Sequence, residues 1–151
     1  MNVLNSPLSV VPCFNDLHLS DISFLESIGS RTKIDRGKSL FFKGEEADSF
    51  FLILEGTVML QMPQKAAPSI SLMTLNSGDL IGWSWLFPPR EWNFDAVAIT
   101  DCELLVFDAE SLLRRMEWDN GFGFRIMQAL MWVMHDRLLA TRIQLLDIGD
   151  D

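Results

Sequence analysis

Among the first 30 residues the apolar positions Leu17, Ile22, Leu25 and Ile28 share one helical stripe. That spacing predicts a helix capped by Asn15 or Asp16 and stopped at Gly29. From Arg31 the period shortens. Residues 32–35, 39–42, 49–54, 57–62 and 69–75 are short apolar, β-branched or aromatic runs, divided by turns at Arg36 and Gly37, at 44–48, at Glu55 and Gly56, and by a polar loop over 63–68. Turns recurring at this interval predict an antiparallel β-roll or barrel. Leu80 and Ile81 read as a further strand end, and 94–100 with 102–107 as a closing strand pair around Thr100 and Asp101. The chain is therefore expected to be mainly β with flanking helices: a β-roll or jelly roll (double-stranded β-helix) with an N-terminal helix and a long C-terminal helix. The expected parts of this single domain are a helical segment over 1–30, the roll over 31–107 and the C-terminal helices over 108–148.

The period lengthens again at Asp108. Asp108 or Ser111 can cap a short helix, and a long one is predicted over roughly 120–146. Its positions Met127, Met131, Met134, Leu138, Thr141, Leu145 and Ile148 are spaced alternately four and three apart, which is a heptad seam. A helix of about 27 residues is about 40 Å long, more than a small domain covers along its whole length. The spacing favours a parallel homodimer through this helix, with Thr141 as a lone polar group in the seam. The plainer alternative is an amphipathic helix packed on its own barrel.

Composition narrows the function. The chain has 151 residues, 48% of them hydrophobic, enough for a core, and 21 acidic against 12 basic residues give a net charge of −9. That sign repels a phosphate backbone, so no nucleic-acid partner is expected. No window approaches 18 uninterrupted apolar residues and no basic residues precede the mild apolar run at the start, so a soluble cytoplasmic protein without a membrane partner is expected. Cys13 and Cys102 lack metal or redox spacing and read as reduced thiols. His18 and His135 are the only histidines, and no GxSxG, P-loop or GxGxxG occurs, so neither a metal centre nor an enzyme is expected. Glu45, Glu46 and Asp48 read as a solvated acidic turn.

One stretch invites a ligand. In NSGDLIGWSWLFPPREWNFD, residues 76–95, a strand end leads through Gly82 into Trp83, Ser84, Trp85, Leu86 and Phe87, about one helical turn, ended by Pro88 and Pro89. Strand, glycine and helix start form a layout in which free backbone N–H groups can cradle an anion. Yet the stretch lacks the charges such a cradle normally uses.

The series Gly37, Leu40, Phe41, Gly44, Asp48, Phe51, Ile53, Leu54, Gly56 and Val58, followed by Leu75, Gly78, Asp79, Leu80, Ile81 and Gly82, resembles the cyclic-nucleotide-binding domain family, in its catabolite-activator type. The resemblance implies the β-roll and a regulatory role, with Gly82 letting the backbone approach a ligand phosphate. In bacterial transcription regulators of that family the long helix dimerises and leads into a helix-turn-helix domain, whereas this sequence ends at Asp151, which reads as a stand-alone module. Two departures matter. Nucleotide-binding members carry, after the cassette glycine, a glutamate for the ribose hydroxyl, and here Trp83 follows Gly82. Their phosphate-pairing arginine falls at Trp92 or Asn93. Each charge-assisted bond lost removes roughly 1.5–3 kcal/mol, together about two to four decades of affinity.

Arg90 could substitute above the N–H groups of Ser84 and Trp85, and Arg142, beside Thr141, could reach in from the long helix. Alternatively Arg90 is a solvent-facing loop charge, and Arg142 forms a surface or inter-subunit ion pair with Asp136 or Asp147. Three tryptophans in one stretch either fill a vacated cavity or line an aromatic site. The candidate pocket is thus Gly82, Trp83, Ser84, Trp85, Arg90, Trp92, Thr141 and Arg142. The reading is a non-catalytic regulatory or sensor module that binds cyclic AMP and cyclic GMP weakly. No cofactor is certain; a cyclic nucleotide or another small anion is the candidate ligand, with a second copy and another regulatory protein as partners. The alternatives are a ligand-free scaffold plugged by Trp83 and Trp92, or a cyclic-AMP receptor using Arg90.

Overall fold

A computed structural model describes residues 7–149. Its contacts gather into two compact units, one of residues up to Ile22 and from Arg115 onward, the other Ser23–Arg114. Among the described residues no helix is long and apolar enough to cross a membrane.

The second unit holds the strands. β1 (Gly29–Ile34), β2 (Ser39–Phe41), β3 (Ser49–Glu55), β4 (Val58–Met62), β5 (Ile70–Leu75), β6 (Leu80–Ile81), β7 (Asp95–Ala98) and β8 (Cys102–Asp108) form two four-stranded antiparallel sheets, ordered β1-β8-β3-β6 and β2-β7-β4-β5. This is the expected β-roll. The closing pair is corrected, however. β7 joins β2 and β4, while β8 joins β1 and β3, so the two strands enter different sheets instead of pairing with each other. Glycines make the corners: Gly37, Gly44, Gly56, Gly78 and Gly82 all have positive φ, the region that side chains with a Cβ rarely enter. Gly56 has a second reason, since a Cβ there would stand 2.6 Å from the carbonyl oxygen of Asp101 and from Sγ of Cys102.

β3 is the spine of the roll, and Phe50 to Ile53 are all buried along it. Successive residues of a strand point to opposite faces, so both faces of β3 are covered. On one, Phe50 stacks on Phe107 at 4.4 Å, opposite it in the ladder, and lies 5.8 Å from Trp85. On the other, Phe51 lies 5.9 Å from Phe41 on the second sheet and 6.3 Å from Trp92. That second face is the interior of the roll.

Three helices complete the described chain: α1 (Leu19–Ser27), α2 (Ala109–Trp118) and α3 (Asn120–Gly149). α1 starts later than expected. A 3-10 turn at Pro12–Phe14 occupies the backbone there, with the Asn15 and Leu17 N–H groups bonded to the carbonyls of Pro12 and Phe14. The cap is His18: its carbonyl accepts from Asp21 and Ile22, and its own N–H donates to the Asp21 carboxylate at 2.9 Å. Gly29 opens β1 instead of forming a helix stop. Asp108 caps α2 through the Ser111 N–H, as expected, and Asp119 caps α3 through the Phe122 N–H. Within the first unit α2 and α3 meet closely at Gly123, where a Cβ would lie 2.7 Å from the carbonyl oxygen of Met116.

Candidate functional site

The cassette begins where β6 pairs with β3, Leu80 opposite Leu52 and Ile81 opposite Phe51. Gly82 then turns the chain with φ +90°. The expected helical turn is a 3-10 turn of three residues, Ser84–Leu86, with the Phe87 N–H closing on the Ser84 carbonyl. So short a turn has too few aligned peptides to sum into a strong positive end. It makes a poor anion cradle.

The three tryptophans of the stretch divide their roles. Trp85 is 1% exposed, and its Nε1–H donates to the Gly82 carbonyl at 2.9 Å, which satisfies the one polar atom of a core side chain. Trp83 is half-buried ahead of the 3-10 turn. Trp92 goes inside. Its indole is 5% exposed and stacks on Phe41 with a ring separation of 3.9 Å and 12° between planes. A Cβ placed on Gly82 would lie 2.7 Å from Cη2 and 2.8 Å from Cζ3 of that indole. The space in front of the cassette glycine is therefore filled by Trp92.

The Trp92 backbone is held as firmly as the ring. Its N–H donates to the Glu45 carbonyl at 3.0 Å, its carbonyl accepts from Gly44 at 2.9 Å, and the Arg90 carbonyl accepts from Ala47 at 2.8 Å. The acidic turn supplies these partners, and the Glu45 side chain accepts from the Phe42 N–H. It is a structural turn. Arg90 has φ 58°, unusual for a residue with a side chain, and its exposed guanidinium makes no ion pair or hydrogen bond among the described residues. Asn93 is exposed. Gly82, Trp83, Ser84, Trp85, Arg90 and Trp92 thus belong to one stretch in which no carboxylate follows the glycine directly and the arginine is exposed.

Thr141 and Arg142 lie on α3 in the first unit, and both are exposed. The Thr141 hydroxyl donates to the Arg137 carbonyl one turn back at 2.9 Å, while Arg142 pairs with neither Asp136 nor Asp147 among the described residues. Along the seam Met127 (42%), Met131 (64%), Leu138 (50%) and Leu145 (64%) are exposed and Met134 is half-buried; the side chain of Ile148 lies outside the described residues. Phe124, three residues before Met127 and exposed, extends the same series and could have been read from its spacing. Trp132, Leu139, Ile143 and Leu146 are exposed as well, off the four-and-three spacing of the seam.

The first unit also holds an ion pair that the sequence did not reveal. Asp21, 4% exposed, accepts from Nε of Arg125 at 2.6 Å and from Nη2 at 2.9 Å. Burial alone would raise the Asp21 carboxyl, but the hydrogen bonds from Arg125 and the His18 N–H, with the Arg125 charge, bring it below its ordinary value. Both cysteines are free thiols. Burial pushes the Cys13 thiol up to about 11, against the weaker opposing pull of a backbone hydrogen bond and of Arg137, so it is mostly protonated and unreactive near neutral pH. Among the described residues no group of three His, Cys, Asp or Glu could hold a metal ion.

Comparison with known proteins agrees with this architecture. The sequence profile of the family described as "Cyclic nucleotide-binding domain" matches residues 31–119. An anaerobic regulatory protein of Bacillus subtilis is 28% identical over 141 residues, 91% of this chain and 58% of that protein. A cyclic AMP receptor protein of Thermus thermophilus is 29% identical over 108 residues, 70% of this chain and 50% of that protein. The chain spans about half the length of these relatives. Among solved structures, a cyclic nucleotide-binding domain from Methylobacillus flagellatus superposes with a TM-score of 0.79 at 17% identity, covering 93% of this chain and 79% of that one.

Proposed function

Because the chain belongs to the cyclic nucleotide-binding domain family, we propose that it is a non-catalytic regulatory module whose pocket takes neither cyclic AMP nor cyclic GMP tightly. The observation that carries this reading is Trp92, buried between Phe41 and Gly82 where the family's ligand phosphate approaches the backbone. A nucleotide there would have to expel an indole. It would also find Trp83 in place of a carboxylate and, as the cation of this stretch, the exposed Arg90. The residues present do not fit the nucleotide, and the loss of two charge-assisted bonds sets its affinity. Titration calorimetry should give dissociation constants in the high micromolar range or weaker, about −5 kcal/mol or less favourable. A submicromolar constant for either nucleotide overturns the reading, and Arg90→Ala then identifies the substitute anchor.

With its pocket so arranged, the module works through contacts between chains. The exposed apolar series on α3 supports a homodimer, with another regulatory protein as the downstream partner. DNA is not held by this chain itself, since a net charge of −9 opposes counterion release from a duplex. A mobility-shift assay at low salt should show no retention of duplex DNA; specific, salt-sensitive retention would contradict this.

A further inference from the structure

We propose that the interior site at Gly82 survives as an aromatic-ring site whose resident occupant is the chain's own Trp92, and that a free planar bicycle of indole size takes its place once that side chain is removed. This deepens the reading above and rests on it: the pocket counts as permanently liganded in cis, not as collapsed. Its ligand class is a neutral, flat arene.

The geometry is that of a bound ring. The Trp92 indole lies nearly parallel to Phe41, 12° between planes and 3.9 Å between centroids, with Phe51 tilted at 6.3 Å. Its benzo edge, Cη2 and Cζ3, points at Gly82, the one residue type that leaves room for it there. The walls come from β2, β3 and the residue after β6, and none of them depends on the indole for its backbone. β3 is laddered to β6 and β8, and β2 to β7. The Trp92 main chain is pinned separately by its two hydrogen bonds to Glu45 and Gly44. Removing the side chain therefore leaves a framed apolar void instead of a slack loop. A void of this kind, dry and lined by apolar side chains, accepts a small arene.

Tethering gives the occupant its advantage. A ring carried on the same chain has an effective concentration fixed by the tether and independent of the cell, in the millimolar range or above for a short link. A soluble ligand competes against that at all times. A module filled in this way stays in its occupied conformation whatever the ligand level, because a ligand shifts an equilibrium only through differential affinity for its states.

The test is Trp92→Ala, with Trp92→Phe as the second variant and indole as the probe. Thermal unfolding of Trp92→Ala should fall by on the order of 10 °C. Millimolar indole should restore several degrees saturably while leaving the wild type unmoved. Trp92→Phe keeps a ring on Phe41, so it should lose less and not respond to indole. Cyclic AMP should not replace indole in Trp92→Ala. If Trp92→Ala does not fold alone, refolding with indole should recover soluble protein. A folded alanine variant whose unfolding temperature indole does not raise, whether or not it has lost stability, or one that refolds no better with indole than without it, overturns the proposal. Such a result leaves the weak nucleotide binding of the wild type standing, which calorimetry on the unaltered chain decides separately.

Discussion

The benzo edge of Trp92 lies against the bare Cα of Gly82, so close that a Cβ on Gly82 would stand 2.7 Å from Cη2. Each residue thus sets what the other can be. Gly82 is constrained twice, by this contact and by its φ of +90°.

Gly82→Ala should therefore destabilise the protein by about 2–4 kcal/mol, part from the backbone conformation and part from overpacking against the indole. Urea unfolding measures it. In a Trp92→Phe background the overpacking part should vanish and the conformational part remain, so the two substitutions couple in a double-mutant cycle. Strict additivity would show that the indole does not press on Gly82.

The Asp21–Arg125 pair predicts a pH dependence. The folded carboxyl is held below its ordinary value of about 3.8. A depressed carboxylate contributes stability that is fully present above the unfolded value and is lost as pH falls through the folded one. Asp21→Asn should lower the unfolding temperature by several degrees at pH 7, because Arg125 loses the charge it pairs with. Below about pH 4 the gap between wild type and variant should close. A constant gap from pH 7 to pH 2 would remove the ion pair from this account.

A third prediction concerns association. Leu138 is 50% exposed at the middle of the apolar series of α3. In a parallel two-fold seam it faces its own copy, so Leu138→Glu places like charges opposite each other in a dry contact. Light scattering should show a wild-type dimer and a monomeric variant. A monomeric wild type, or a variant that stays dimeric, would leave the series as exposed surface with another use.

The sequence alone determined the alternation of short strands, the glycines at their corners and the long C-terminal helix, because these depend on φ preferences and on periods of two or 3.6 residues within one segment. Residue identity likewise puts Trp83, not a carboxylate, directly after Gly82, and Trp92 and Asn93 further along the same stretch. Tertiary structure decided the rest. Residues 94–100 and 102–107 were expected to pair because they are adjacent in the chain, yet β7 and β8 find their ladders in different sheets. The start of α1 was placed at Asn15 or Asp16, and it lies at His18, because Asp21 reaches back to it while also holding Arg125, 104 residues away. Trp83 and Trp92 were both read as plugs of the pocket, since a loop has no period from which to assign an inward face, yet only Trp92 is buried and Trp83 is half-buried. Trp85 covers the outer side of β3 through Phe50, and Trp92 enters the interior through Phe41, a residue on a different strand of a different sheet. Which ring fills the pocket depends on neighbours that only folding brings together.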